Sequence, residues 1–482
     1  MTWNDLVTVL PPLVLIVGGI VILIADLFVP AGRKAVTGWA SFAPFLLALL
    51  AVFALWGQTG AAFNGMASLD GYALFLDALF ASVGIATLAF ALRYNQSRGI
   101  QRGEFYPLLL FAASGMMLMG HATNLLIVFI ALELLSIPLY ILCGIARGAV
   151  QSQESALKYF LLGAFASGFV AYGIALVYGA TGTFDLNALA QIIAARQYTD
   201  AIVLYAGASL ILAGLGFKVA AAPFHMWVPD VYEGAPTSVT GFMAAATKAA
   251  GFAAVGRVFL FGMGDLIALW QPVVAVIAAL TMIVGNVAAL AQTNLKRMLA
   301  YSSIAHAGYA LVGIAAGGQA GASSVLFYLA AYAATTLAAF AVMTVMSAPE
   351  SEDQSIDAYT GLIHRRPLLA VTLAIAMLSL TGIPPLAGFA GKYFLFEAAI
   401  RSGLIWLALI GALTSVVSAG YYLRVVVVMF MREPGAETPP LSVAGPARTA
   451  AIVATSFLTI IIGILPAPLL DTVARGVQHM PR

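Results

Sequence analysis

Apolar residues run through this chain in long blocks, and short polar or Gly/Pro-rich breaks separate them. At roughly 20 apolar residues per bilayer-spanning helix, the blocks give about fourteen spans. The first six are expected near 8–29, 38–56, 71–92, 105–120, 123–146 and 155–180, followed by a short amphipathic stretch near 186–195 lying at a membrane surface. Gly214–Phe252 holds the seventh and eighth spans, and prolines 223, 229 and 236 break its backbone. A ninth span near 267–290 leads through Q-T-N-L-K-R directly into a tenth. The eleventh lies near 322–347 and precedes the charged connection E-S-E-D-Q-S-I-D-A-Y. The twelfth, 367–398, is interrupted by T-G-I-P-P-L-A-G-F-A-G-K, and spans near 403–430 and 447–470 close the chain. Backbone freed by a break at membrane depth must face protein or water, so discontinuous helices 7 and 12 mark a polar path. The expected fold is an all-α polytopic membrane protein.

Composition agrees: 482 residues, 62% hydrophobic and 9% charged, with a mean hydropathy of +0.99. Soluble domains carry roughly 25% charged residues, so almost no chain is left for one. The start, Met1-Thr2-Trp3-Asn4-Asp5, lacks a basic n-region and a small-residue cleavage site, so the first helix is expected to stay. A single cysteine, Cys143, excludes an intrachain disulfide and any cysteine-ligated iron-sulfur or zinc site built from this chain alone. The net charge of +2 points to no partner, and no basic stripe suggests nucleic acid. Arg33, Lys34, Arg93, Arg98, Arg102, Arg147, Lys296, Arg297, Arg365, Arg366 and Arg432 fall on one side of the predicted topology. Arg196, Arg257, Arg401 and Arg475 fall on the other. The richer side is assigned to the cytoplasm, which puts both termini outside.

Thr123-Asn124-Leu125 recurs as Thr293-Asn294-Leu295, and each copy opens a span that ends in a tyrosine, Tyr140 or Tyr309. Two spans later each copy meets a proline-broken helix with a lysine: Lys218 beside Pro223, and Lys392 beyond Pro384-Pro385. Two units of about five spans each, an odd number, insert with opposite orientation, the inverted repeat of transporters. The organisation expected is 1–103 as an N-terminal three-helix segment, 104–262 and 263–432 as the repeats, and 433–482 as a C-terminal helix. In this alignment Ser303 takes the place of Glu133.

An ammonium at a helix centre costs roughly 2.5–3.5 kcal/mol on the insertion scale, so buried lysines persist where they line a polar path. Lysine can give up its proton there, whereas a guanidinium keeps it. Lys218 and Lys248 are the principal proton-carrying candidates, against a structural ion pair. Lys392 is the third, with snorkelling toward the outer surface near Glu397 as its rival. Glu133, the deepest carboxylate on this reading, serves as proton carrier or counter-charge. Lys158 follows Glu154 by four residues, the spacing of an ordinary helix-surface ion pair, and is divided between the two readings. Lys296 with Arg297 reads as a topology signal. His225 and His306 are proton-relay candidates near neutral pH, and His121 also lies near a span. No nucleotide fingerprint is present, because Gly214-Leu215-Gly216 lies inside an apolar span.

The strings A-L-E-L-L-S-I-P-L-Y around Glu133, G-F-K-V-A-A-A-P-F-H-M-W-V-P-D-V-Y-E-G-A-P-T around Lys218, A-T-K-A-A around Lys248, L-K-R-M-L-A-Y-S-S-I-A-H-A-G-Y, and T-G-I-P-P-L-A-G-F-A-G-K resemble the antiporter-like membrane subunits of respiratory complex I. The resemblance covers nearly the whole chain. Lys248 and Lys392, where the M branch of that family has histidine and glutamate, and the lack of a lateral helix as in the L branch, favour the N branch. The resemblance implies a half-channel reaching Lys218, a central chain through Lys248 to Lys392, and a Glu133–Lys218 pair acting as a switch. It implies no cofactor in this chain, with NADH, FMN, iron-sulfur clusters and quinone in partner subunits. The implied partners are a second antiporter-like subunit, small membrane subunits and the lipid of a bacterial inner membrane. The alternative is a subunit of a multisubunit cation/proton antiporter or of a membrane-bound hydrogenase. A third class, a scaffold with inert charges, predicts that Lys218→Ala leaves proton pumping intact.

Overall fold

The computed structural model describes residues 2–347, 353–433 and 445–478. Part of the expected charged connection, residues 350–352, lies outside them. Among the described residues eleven helices are long and apolar enough to cross a membrane: Ala35–Leu55, Gly71–Ser97, Leu125–Cys143, Val150–Thr181, Ala201–Val219, Thr237–Gly262, Gly264–Leu290, Leu295–Ala316, Gly318–Met346, Ile405–Met431 and Pro446–Ile464. Three shorter apolar helices, Leu10–Asp26, Phe105–His121 and Pro367–Thr381, join them. The helical membrane-protein expectation therefore holds. Most exposed large side chains are Leu, Ile, Val and Phe, as an oil-facing surface requires.

Both expected breaks are present. Ala201–Val219 stops at Ala220, whose φ of 67° is left-handed, and the chain re-enters helix at Trp227–Gly234. Pro367–Thr381 stops at Gly382, with φ of 95°, and resumes as Ala387–Arg401. Proline cannot donate to the preceding turn, so each stop is written locally. The amphipathic stretch forms the helix Leu186–Ala194.

The two Thr-Asn-Leu copies adopt one local structure. Leu125 N donates to Phe184 O and Leu186 N to Thr123 O, each at 2.9 Å; in the second copy Leu295 N donates to Gln354 O at 2.7 Å and Ile356 N to Thr293 O at 2.9 Å. In both, the asparagine side chain caps the helix that follows.

Several expectations are corrected. A small antiparallel hairpin, Gly60–Ala62 with Ala67–Leu69, sits in what read as plain loop. Its turn passes through Phe63 and Asn64, both at positive φ, ahead of Gly65. The last span ends at Ile464 and a separate helix, Ala467–Gln478, follows, because Pro466 and Pro468 interrupt the backbone. Arg257 and Lys296 are buried side chains, not loop positives. Glu133 is half-buried, whereas Asp77 is wholly enclosed and is the deeper carboxylate.

The helix carrying Lys248 is irregular. Thr237–Phe242 passes into a π-helical turn at Met243–Thr247, Lys248 opens the α-helical stretch Lys248–Val255, and a second π-helical turn spans Gly256–Gly262. Such turns displace one residue from the regular ladder and re-aim its neighbours, often at functional sites.

Candidate functional site

Lys218 lies in the last turn of its half-helix, where unpaired carbonyls favour a cation. Its side chain is buried, and Nζ donates to Ser136 Oγ at 2.7 Å and to Tyr159 OH at 3.2 Å. The Tyr159 ring lies 5.3 Å from the amine and stacks on Trp227 with ring centres 4.6 Å apart. Trp227 is held in turn by its Nε1–H on Phe217 O at 3.0 Å. The second half-helix thus braces the wall of the lysine site on the first.

The expected Glu133–Lys218 contact is absent: among the described residues no ion pair involves Glu133, and its Oε1 is buried without a partner. Lys218 bonds instead to Ser136, three residues on from Glu133 and so on the same helix face. The two charges share a neighbourhood without touching.

Gly251 brings Lys218 against the Lys248 helix. A Cβ built at Gly251 would lie 2.7 Å from Val219 Cγ1 and 3.4 Å from Lys218 Cγ, so the lysine stem packs against bare backbone there. Gly251 lies three residues after Lys248, on the same face. Lys248 is buried and its Nζ donates to the backbone carbonyl of Ser303. Ser303 is the residue that aligns with Glu133.

The Leu295–Ala316 helix then carries the line onward. Ser303, His306 and Tyr309 follow one another at three-residue steps on one face. His306 is buried, its Nδ1 lying 2.5 Å from Tyr328 OH and its Nε2 3.1 Å from Tyr422 OH, and Tyr422 also bonds to Ser302. His306 and Tyr309 meet edge-on at 5.6 Å between ring centres. The Lys392 amine sits 4.5 Å from the Tyr309 ring centre. It donates to Leu380 O at 3.1 Å and Thr381 O at 2.9 Å, the terminal carbonyls of the half-helix before the break. Lys392 is buried and Glu397 pairs with Arg401 at 2.5 Å, so snorkelling is not its arrangement. A cavity of about 530 Å³ runs from Lys392, Thr381 and Gly382 to Glu397 and Arg401.

Two candidates stand apart. Lys158 pairs with Glu154 and Asp230, both at 2.7 Å, and Arg297 joins Asp230 at 2.9 Å and Glu233 at 2.6 Å. His225 is half-buried in the first break, with an Nδ1 unpartnered among the described residues, and it bonds there to none of the amines. Sequence reasoning missed Ser136, Tyr159, Tyr328 and Tyr422. Ser136 was readable from its spacing to Glu133, but tyrosines arriving from distant helices carry no local signal. Also missed was a wholly buried pair, Asp77 with His121, at the far end of the bundle.

A helical membrane bundle that buries three amines in its core, with a histidine and tyrosines packed between two of them, belongs to the class of proton-carrying membrane subunits. The chain belongs to the family described as NADH:quinone oxidoreductase/Mrp antiporter, which matches residues 122–418, a span that holds Glu133, Lys158, Lys218, His225, Lys248, His306 and Lys392. It is 46% identical over 476 residues to NADH-quinone oxidoreductase subunit N of Chloroflexus aggregans, covering 98% of this chain and 97% of that one. It is 43% identical over 475 residues to subunit N of Trichlorobacter lovleyi, covering 98% and 97%. Among solved structures, a chain of respiratory complex I from Thermus thermophilus superimposes with a TM-score of 0.82 at 38% identity, covering 97% of this chain and 100% of that one. A chain of the Mrp complex from Dietzia sp. superimposes at 0.86 with 22% identity, covering 99% and 97%, a likeness of fold.

Proposed function

We infer that this chain is a proton-translocating membrane subunit of an NADH-quinone oxidoreductase, moving protons through buried Lys and His groups while electrons pass from NADH to quinone in other subunits. The carrying observation is the single face of Leu295–Ala316. One end of that face touches Lys248 through Ser303, and the other touches Lys392 through Tyr309. Lys218, Lys248, His306 and Lys392 are the proton carriers, and Ser136, Tyr159 and the tyrosines around His306 hold them in place. Lys158 and His225 stand outside the line, with Lys158 fixed in the surface ion network.

Glu133 acts as the switch. A carboxylate beside an ammonium favours the charged amine, and separation in a low dielectric favours proton release. The present arrangement, with Lys218 turned to Ser136 and Tyr159, corresponds to the separated state. The pair gates a proton and supplies no energy, which comes from the redox reaction.

The eleven long and three short apolar helices among the described residues support the reading of about fourteen crossings, each broken helix counted once. The recurring Thr-Asn-Leu structure supports inverted repeats over 104–262 and 263–432, flanked by 1–103 and 433–482. Arg98, Arg102 and Arg147 line one cavity with Gly234 and Pro236, at the end of the bundle where Lys296 bonds to Ala235 O at 2.5 Å. That end is cytoplasmic on the positive-inside rule, so both termini face the periplasm of a bacterial inner membrane. The partners are a second antiporter-like subunit, small membrane subunits and lipid. NADH, FMN, iron-sulfur clusters and quinone reside in other subunits of the complex.

The test is NADH-driven proton uptake by vesicles bearing assembled complexes with Lys218→Ala, Lys248→Ala or Glu133→Ala. Loss of uptake in assembled complexes is expected. Wild-type uptake with Lys218→Ala, or purification with antiporter subunits alone, would overturn the reading.

A further inference from the structure

At the end of the bundle opposite the arginine-rich connections lies a second set of buried charges that the relay does not use. Asp77, in Gly71–Ser97, and His121, closing Phe105–His121, meet with His121 Nε2 2.8 Å from Asp77 Oδ2, and neither side chain has any solvent exposure. Arg257 lies beside them. Its Nη2 reaches Asp70 Oδ1 at 2.9 Å and Oδ2 at 2.8 Å, and its Nε and Nη2 donate to Gly120 O at 2.8 and 2.6 Å. The guanidinium stands 4.9 Å from the Tyr72 ring centre, and Tyr72 OH donates to Ala253 O at 3.1 Å.

Arg257 and Asp70 therefore cancel each other, and Arg257 clamps the peptide just before His121. Asp70, Arg257 and Tyr72, the charged or titratable groups that face the pair, are all engaged. Two atoms are not: among the described residues Asp77 Oδ1 and His121 Nδ1 are buried without a partner. A wholly buried ionisable pair that served only to fasten two helices would be costly with atoms left unsatisfied on both members. A site that receives and passes on a proton needs such an open position.

Both helices pack against Lys248–Val255, the stretch that Lys248 begins, and Tyr72 ties Gly71–Ser97 to its outer end. We propose that Asp77 and His121 form a proton-holding site on the outer side of Lys248, adding a second outward station in the first half of the molecule. This rests on the proton-carrying reading above. One proton arrives through water at His121 Nδ1 from the direction of Lys248. The imidazolium so formed keeps its Nε2–H on Asp77 Oδ2 and later gives up the Nδ1 proton to the outer aqueous phase, which restores neutral His121 beside the Asp77 carboxylate. The pair alternates between net charges of −1 and 0, and the balanced Arg257–Asp70 pair stays unchanged.

The test uses the assembled NADH-quinone oxidoreductase in sealed vesicles, comparing Asp77→Asn and His121→Gln with wild type. Each variant retains a hydrogen bond at the site and loses a proton-exchanging group. Protons moved per NADH oxidised should fall in both, with complex content normal and the Lys218→Ala control also defective. A wild-type ratio in either assembled variant, beside a defective Lys218→Ala control, overturns this inference alone. A Lys218→Ala complex that pumps normally overturns the parent reading first. Failure of both variants to assemble would also overturn the inference, since the pair would then be a structural fastening.

Discussion

Lys218 and Lys392 satisfy a buried ammonium in different ways from opposite sides of a break, Lys218 on the hydroxyls of Ser136 and Tyr159 and Lys392 on backbone carbonyls. Lys218 belongs to the first half-helix and sits in its last turn, whereas Lys392 belongs to the second half and reaches back to the last carbonyls of the first. For Lys392 a helix C-terminus faces the charge, worth about 0.3–2 kcal/mol. Replacing Lys392 by arginine keeps the charge and its donors but abolishes proton release. The neighbouring cavity of about 530 Å³ leaves room for the larger group, so Lys392→Arg is expected to assemble and to lose NADH-driven proton uptake. Ser136→Ala removes the 2.7 Å acceptor of the Lys218 amine. Hydrogen bonds to charged groups contribute roughly 1.5–3 kcal/mol, so proton uptake should slow by about tenfold or more in stopped-flow measurements. The lysines were legible in the sequence because a charge in an apolar run is conspicuous. Asp77 was passed over because a lone carboxylate six residues into a span reads as belonging to its loop, and only the fold brings His121 onto it.

Glycine sets the spacing of the elements that carry these groups. A Cβ at Gly388 would lie 1.8 Å from Ser379 O and one at Gly251 2.7 Å from Val219 Cγ1. Overpacking of this kind costs about 1–3 kcal/mol. Gly388→Ala, pressed against backbone that cannot rotate away, should lower the thermal stability of the purified complex; Gly251→Ala meets a side chain and should be milder. The broken helices were readable because proline and glycine act locally. The π-helical turns flanking Lys248 were not, since the sequence around them, rich in alanine and glycine, fits an α-helix equally well. The hairpin before Gly71 had a cue in Asn64-Gly65, but its strands are too short to alternate visibly.

Across the whole molecule, contacts between distant segments decide which charges are chemical and which are architectural. Arg297 joins Asp230 and Glu233 across the two halves, with side chains about a third exposed (30%, 36% and 38%). Exposed pairs contribute about 0–1 kcal/mol each, and salt screens them. Lys158→Ala should therefore leave proton uptake near the wild-type rate, with a small loss of stability at low salt. The sequence-level topology counted Arg257 and Lys296 as loop charges, and their burial shows that a positive near a span end can instead close a contact between helices. The relay itself was half legible: its three lysines and His306 stood out, but their order along one face of Leu295–Ala316 depended on how distant helices pack around it. Lys248 is the link between Lys218 and that face, and its removal is the most direct test. In sealed vesicles with fully assembled complex, Lys248→Ala is predicted to cut NADH-driven proton uptake by about tenfold or more. Uptake at the wild-type rate from the same amount of complex would contradict the account.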